Sequence, residues 1–229
     1  ILTTSGNFYI SGCVTTEIEK YCKWSRDILP KTKVLLVNHE FGYPYKDLSK
    51  LRSHGLPIIE DCASSFFSQD AKNEIGNIGD FVIYSFPKMF SLQIGGLLVS
   101  NKSNAIGNET LIGKDELRHV KNVLSSQISH RGDIISMRIE NYKQLINKFG
   151  EAGFSERFPL VEGSVPGVFM FSTKGHALNL PELKKHYYTH GVQCSVFYGE
   201  DAFFIPCHQN LVIEDLWYFI KIMKSFLKQ

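Results

Sequence analysis

The sequence predicts an α/β protein: a mostly parallel sheet in its first part and a smaller α+β unit after it. Three observations predict this. Short, nearly continuous apolar runs recur between turn or helical segments over the first hundred residues. Such runs read as strands of a parallel sheet covered on both faces. A charge-rich stretch with helical spacing follows. The last third then alternates strand, helix, strand and helix, the mark of a separate α+β unit. The expected division is 1–130 for the larger domain and 131–229 for the smaller.

Taken in order, residues 33–39 (KVLLVNH) read as the first buried strand. Residues 47–54 read as a short helix, with Gly55 as its C′ residue. Residues 57–62 (PIIEDC), 81–86 (FVIYSF) and 96–100 (GLLVS) read as three further strands. Polar ligands of parallel sheets sit at the carboxyl ends of the strands, where Asp61 and Ser85 fall. Within 107–148, Ile134, Ile135, Ile139, Tyr142, Leu145, Ile146 and Phe149 recur at three- and four-residue spacing, predicting a helix packed on a core. Residues 151–167 read as a loop, punctuated by Pro159, Gly163, Pro166 and Gly167. Beyond it come a strand at 168–172, a helix at 181–190 ended by Gly191, a strand at 192–198 and an amphipathic helix at 214–227. That last helix carries Leu216, Phe219, Ile220 and Met223 on one face.

Composition narrows the function classes. The 229 residues are 43% hydrophobic and 21% charged, ordinary for a globular chain. A formal net charge of +2 gives no basic face, so nucleic acid is not an expected partner. No apolar run approaches the roughly 20 residues that cross a bilayer, and the first residues lack a signal peptide's charged and apolar regions. Five scattered cysteines without a CxxC pair read as reduced thiols of a cytoplasmic protein, not as a disulfide or metal framework. No metal site is expected. Walker A, GxGxxG, GxSxG and HExxH motifs are all absent. His39, at a strand end, is the one histidine singled out.

What remains is an ordered set of segments. Ile59-Glu60-Asp61-Cys62-Ala63-Ser64 is followed by Gly76-Asn77-Ile78-Gly79-Asp80, then by Tyr84-Ser85-Phe86-Pro87-Lys88, then by Gly95-Gly96 before a strand. Upstream stand Val37-Asn38-His39-Glu40-Phe41-Gly42-Tyr43-Pro44 and His54-Gly55-Leu56-Pro57. Ile205-Pro206-Cys207-His208 through Leu211 precedes the last helix. In this order the segments resemble the core signature of the DegT/DnrJ/EryC1/StrS sugar aminotransferases. The resemblance is dense from about Val34 to Ser100 and again after Gly191. Three features depart from it. Ser64 stands where a glutamine is usual, Lys88 follows Ser85 more closely than usual, and 101–129 lacks the usual N-Y-R-M motif.

The resemblance implies the fold type I architecture of enzymes dependent on pyridoxal 5′-phosphate (PLP), with the N-terminal portion of the large domain, and so part of the sheet, lying outside this sequence. It implies Lys88 as the catalytic lysine that carries PLP and then moves a proton. It implies Asp61 as the carboxylate beneath the pyridine nitrogen, Ser85 as a phosphate contact, Ala63 as a ring contact and Ser64 near the phenolic oxygen. The implied activity is amino transfer to a keto group of a nucleotide-linked sugar, with a donor such as glutamate, in a homodimer. Two alternatives remain beside it: a PLP-dependent dehydratase of the same family, and a degenerate homologue that keeps the fold without catalysis.

Overall fold

The computed structural model describes residues 1–10, 12–102 and 112–228. It contains two compact units, Ile1–Arg131 with Glu162–Ser164, and Gly132–Val161 with Val165–Gln229.

The first unit is built on a five-stranded sheet. Its strands are β1 (Leu2–Thr3), β2 (Leu35–Asn38), β3 (Ile58–Asp61), β4 (Phe81–Ser85) and β5 (Gly96–Ser100), in that spatial order. The first four are parallel, and β5 returns antiparallel to β4 with Ser85 opposite Gly96. The expectation of a mostly parallel sheet therefore holds. The return is antiparallel because the connection from β4 to β5 spans only residues 86–95, too short for the crossover that a parallel pair requires.

Complete cover on both faces does not hold. Strands β2 and β3 alternate buried and half-exposed residues. Leu35, Val37 and Ile58 face a core closed by Leu48 and Leu51, while Leu36, Asn38, Ile59 and Asp61 share the more open face. Each aliphatic side chain on the closed face contributes about 1.5–3 kcal/mol by leaving water. The expected helix at 47–54 is a 3₁₀ helix, Leu48–His54, longer than most runs of that geometry. Two elements were not anticipated, β1 and α1 (Gly12–Glu19), the latter with no buried residue. The charged stretch forms two helices, α2 (Lys114–Ile128) and α3 (Arg131–Gly150); its residues 107–111 lie outside the described residues.

In the second unit, α3 buries Ile134, Arg138, Asn141, Tyr142, Leu145 and Phe149, a three-and-four spacing on one face. Phe149 packs on Phe169 and Phe171, with ring centroids 5.1 and 4.7 Å away. These belong to β6 (Val168–Ser172), an outer strand of an antiparallel sheet ordered β6, β8 (Ala202–Pro206), β7 (Ser195–Val196). Helix α4 (Leu180–Thr189) begins where the Asn179 side chain accepts the Glu182 backbone N–H at 3.2 Å. Helix α5 (Ile213–Phe226) buries the predicted Leu216, Phe219, Ile220 and Met223. The strand expected over 192–198 shrinks to β7, and the central strand β8 was not anticipated. No helix among the described residues is long and apolar enough to cross a membrane.

Candidate active site

The adjacent carboxylates Glu60 and Asp61 project to opposite faces of β3, as strand alternation requires. Glu60 is fully buried. Its Oε2 contacts His39 Nε2 at 3.1 Å and accepts the Gly76 N–H at 2.8 Å. Its Oε1 accepts the Ile78 N–H at 3.0 Å and a shorter bond from Gly79. The ring of His39 is turned for this role. Its Nδ1 accepts the Tyr45 backbone N–H at 3.0 Å, so Nε2 carries the proton donated to Glu60. Burial alone raises the Glu60 carboxyl, but the His39 bond and the Gly76 and Gly79 N–H groups outweigh it and hold it below its ordinary value. The loop 76–80 is thus wrapped around one buried anion. Its last residue, Asp80, ties the same loop to β3 by accepting the Ile58 N–H at 2.7 Å.

His39, Glu60 and Cys62 bring three donor atoms within 4.8 Å of one another. Their chemistry is that of a closed support. The glutamate oxygens are taken by N–H groups, and burial first, then Glu60 and Asp61, push the Cys62 thiol far upward, so it stays protonated. His39 is therefore bound into the frame behind the site.

Asp61 is half-buried on the open face, at the carboxyl end of β3. Its Oδ1 accepts the Ala63 N–H at 3.0 Å and its Oδ2 accepts Asn38 Nδ2 at 2.8 Å. Burial raises this carboxyl above its ordinary value, against the lowering effects of the Ala63 N–H, His39, Lys88 and Asn38. Among the described residues, no cation stands within ion-pair distance of it. Asn38 was not identified from the sequence. The signal that could have found it is the register of parallel strands: two successive strand ends, Asn38 and Asp61, are paired.

Ser85 ends β4, two residues beyond Ile83, the register partner of Asp61. Lys88 follows in a 3₁₀ turn, Phe86–Lys88, and is exposed. It is near enough to Asp61 for its charge to act on that carboxyl. The turn is held by the Gly95-Gly96 pair. A Cβ on Gly96 would stand 2.5 Å from the Tyr84 carbonyl oxygen, and one on Gly95 would press on Phe86 and Val120 at 3.1 and 3.2 Å. Gly95 also has a φ of 98°, which L side chains rarely adopt. Ala63 and Ser64 lie half-buried in the turn after Asp61, and the neighbouring Ser65 is committed to the frame, donating to the His39 carbonyl at 2.8 Å. The structure thus gathers Asp61, Ala63, Ser64, Ser85 and Lys88 at the carboxyl ends of two neighbouring parallel strands, β3 and β4.

Comparison with known proteins bears on the fold and on part of the chain. The solved structure of the aminotransferase TlmJ from Streptoalloteichus hindustanus superposes with a TM-score of 0.70 at 20% identity, over 88% of this chain and 67% of that one. The architecture is the α/β fold of PLP-dependent aminotransferases. Residues 20–114 match the model of the DegT/DnrJ/EryC1/StrS aminotransferase family. Two curated relatives match over a third of the chain. One is L-glutamine:2-deoxy-scyllo-inosose aminotransferase of Streptoalloteichus tenebrarius, 33% identical over 82 residues, 33% of this chain and 19% of that protein. The other is GDP-perosamine synthase of Escherichia coli O157:H7, 34% identical over 80 residues, 32% of this chain and 22% of that protein. The matched stretch therefore spans about a fifth of these relatives' length.

Proposed function

We propose that this chain is the PLP-binding part of an aminotransferase that acts on a keto group of a nucleotide-linked sugar. The observation that carries the reading is Asp61: a half-buried carboxylate on the open face of the sheet, raised by burial, within the electrostatic reach of Lys88. That environment fits the protonated ring nitrogen of PLP, because a bound cation offsets the desolvation that now disfavours the anion. When bound, PLP supplies an electron sink for the carbon next to the transferred amine. Asp61 holds the proton at the ring nitrogen. Lys88 Nζ would be the amine that holds the cofactor and the base that moves a proton beside it. Ser85 offers its hydroxyl to the phosphate, Ala63 an apolar contact to the ring, and Ser64 a hydroxyl near the phenolic oxygen.

The nucleotide-linked substrate is supported by two relatives named GDP-perosamine synthase. A donor with an amino group such as glutamate fits the family, and the name of a third relative specifies L-glutamine. A homodimer is the assembly proposed with this activity. The test is direct. PLP added to the purified protein should produce the visible absorption band of a lysine-bound cofactor, and borohydride should fix that cofactor on the peptide containing Lys88. Lys88→Ala should lack both signals. No band in the parent, or an unchanged one in Lys88→Ala, overturns the reading.

A further inference from the structure

Asn38 closes strand β2, and the parallel register places it beside Asp61. Leu36, two residues earlier on the same open face, is apolar, so the strand supplies a polar amide only at its end. That amide donates to Asp61 Oδ2 at 2.8 Å, while the Ala63 backbone N–H takes Oδ1 at 3.0 Å. Two donors on different oxygens fix the plane of the carboxyl group and its distance from β2. The backbone of Asn38 is itself held, since its carbonyl accepts the Thr4 N–H at 3.2 Å. The donor therefore has a rigid base. The other groups acting on Asp61 are His39 from the same strand end and Lys88 from the turn after β4, with Cys62 next in the chain.

We infer that Asn38 is a positioning residue for Asp61, holding its carboxylate in one orientation for the cofactor. The inference rests on the PLP reading and adds a residue to it. Ala63 donates through its backbone, so side-chain substitution does not remove that bond. Asn38 is the member of the pair of donors that a mutation can delete. Its loss leaves Asp61 held through Oδ1 alone, with Oδ2 without its donor, in a setting where burial already favours the neutral acid.

The test reads the carboxyl group both without cofactor and with it. The Asp61 resonance is followed by carbon NMR against pH, identified by its disappearance in Asp61→Asn. Asn38→Leu, close in volume, removes the donor and should move the Asp61 midpoint to higher pH. Asn38→Ser, whose hydroxyl is too short to reach Oδ2, should move it the same way, and Asn38→Gln should restore part of the shift. PLP affinity, from spectrophotometric titration, should fall about tenfold or more in Asn38→Leu, the scale of a hydrogen bond to a charged group. A merely structural cross-strand contact would lower thermal stability and leave midpoint and affinity in place, and that result overturns the inference. A parent protein that binds no PLP overturns the proposed function instead, while the titration still decides whether Asn38 controls Asp61.

Discussion

Glu60 and Asp61 are the same chemistry in successive positions, and their surroundings assign them opposite tasks. Glu60 has its proton affinity lowered by His39 and the wrapped loop; Asp61 has its own raised by burial. Glu60→Gln turns amide hydrogens toward N–H groups and breaks a buried contact, so it should cost about 3–5 kcal/mol at pH 7. A carboxyl held low in the folded state contributes stability that is present above its ordinary value of 4.5 and is lost as pH falls through the folded value. The gap between parent and Glu60→Gln in denaturant titrations should accordingly narrow below that pH. Asp61 has the opposite sign. A raised folded value means that ionisation opposes folding as pH rises, so Asp61→Asn should be as stable as the parent at pH 7, or more so, while losing PLP binding. Part of this was legible in the sequence. The E-D pair, the G-x-x-G-D loop and the strand-end position mark Asp61. The division of labour was not legible, because it depends on which face of β3 is closed and on the backbone N–H groups of residues 76–79. His39, singled out as a strand-end histidine, proves to be structural for the same reason.

At the scale of elements, the segments that were easiest to read were those whose local signals agree with their burial. Helix α4 has an Asn cap, a first-turn proline and a terminal glycine; α5 has a single apolar face. Strand β8 was missed although it is the centre of its sheet. Its apolar run is short, and it closes on Pro206, which lacks a donor and is tolerated only because it falls at the strand's end opposite Val168. The run from Val192 to Tyr198 looks more like a strand and contributes only two residues to the edge. Which run becomes central was decided by packing against Phe169 and Phe171 on β6, not by its own pattern. The turn carrying Lys88 shows the same dependence. Its spacing differs from the family's, yet the glycine pair after it fits the contacts of Phe86, Tyr84 and Val120. Gly96→Ala should force β5 away from Tyr84, destabilising the first unit by about 1–3 kcal/mol, as overpacking does. Protease cleavage within residues 86–95 should rise in the same variant; unchanged cleavage and an unchanged denaturation midpoint would show that the glycine is not required there.

For the whole molecule, the open side of the first unit matters most. Strand β5 is, with the two-residue β1 at the other side, an outer strand of its sheet among the described residues. Ile83 and Leu98 are cross-strand partners and are 41% and 51% exposed; Leu97, on the opposite face of β5, is 47% exposed. A strand edge with apolar side chains on both faces is a template for pairing with another chain. Sequence alone indicated this only indirectly: 96–100 reads as a buried strand, because Leu97, Leu98 and Val99 are chosen for contact, and the pattern does not say which polypeptide supplies it. In the second unit the aromatic rings of Phe149 and Phe171 close on one another. Self-association of this chain should therefore begin at β5. In sedimentation velocity experiments the parent should gain mass as concentration rises, and Leu98→Lys, which places a charge at the exposed centre of that strand, should remain monomeric over the same range. Its PLP absorption band should persist, because Leu98 is two residues beyond the glycine pair and contacts neither Asp61 nor the Lys88 turn in the sheet register. Equal association in both proteins would place the sticking surface elsewhere and remove the edge of β5 as the cause.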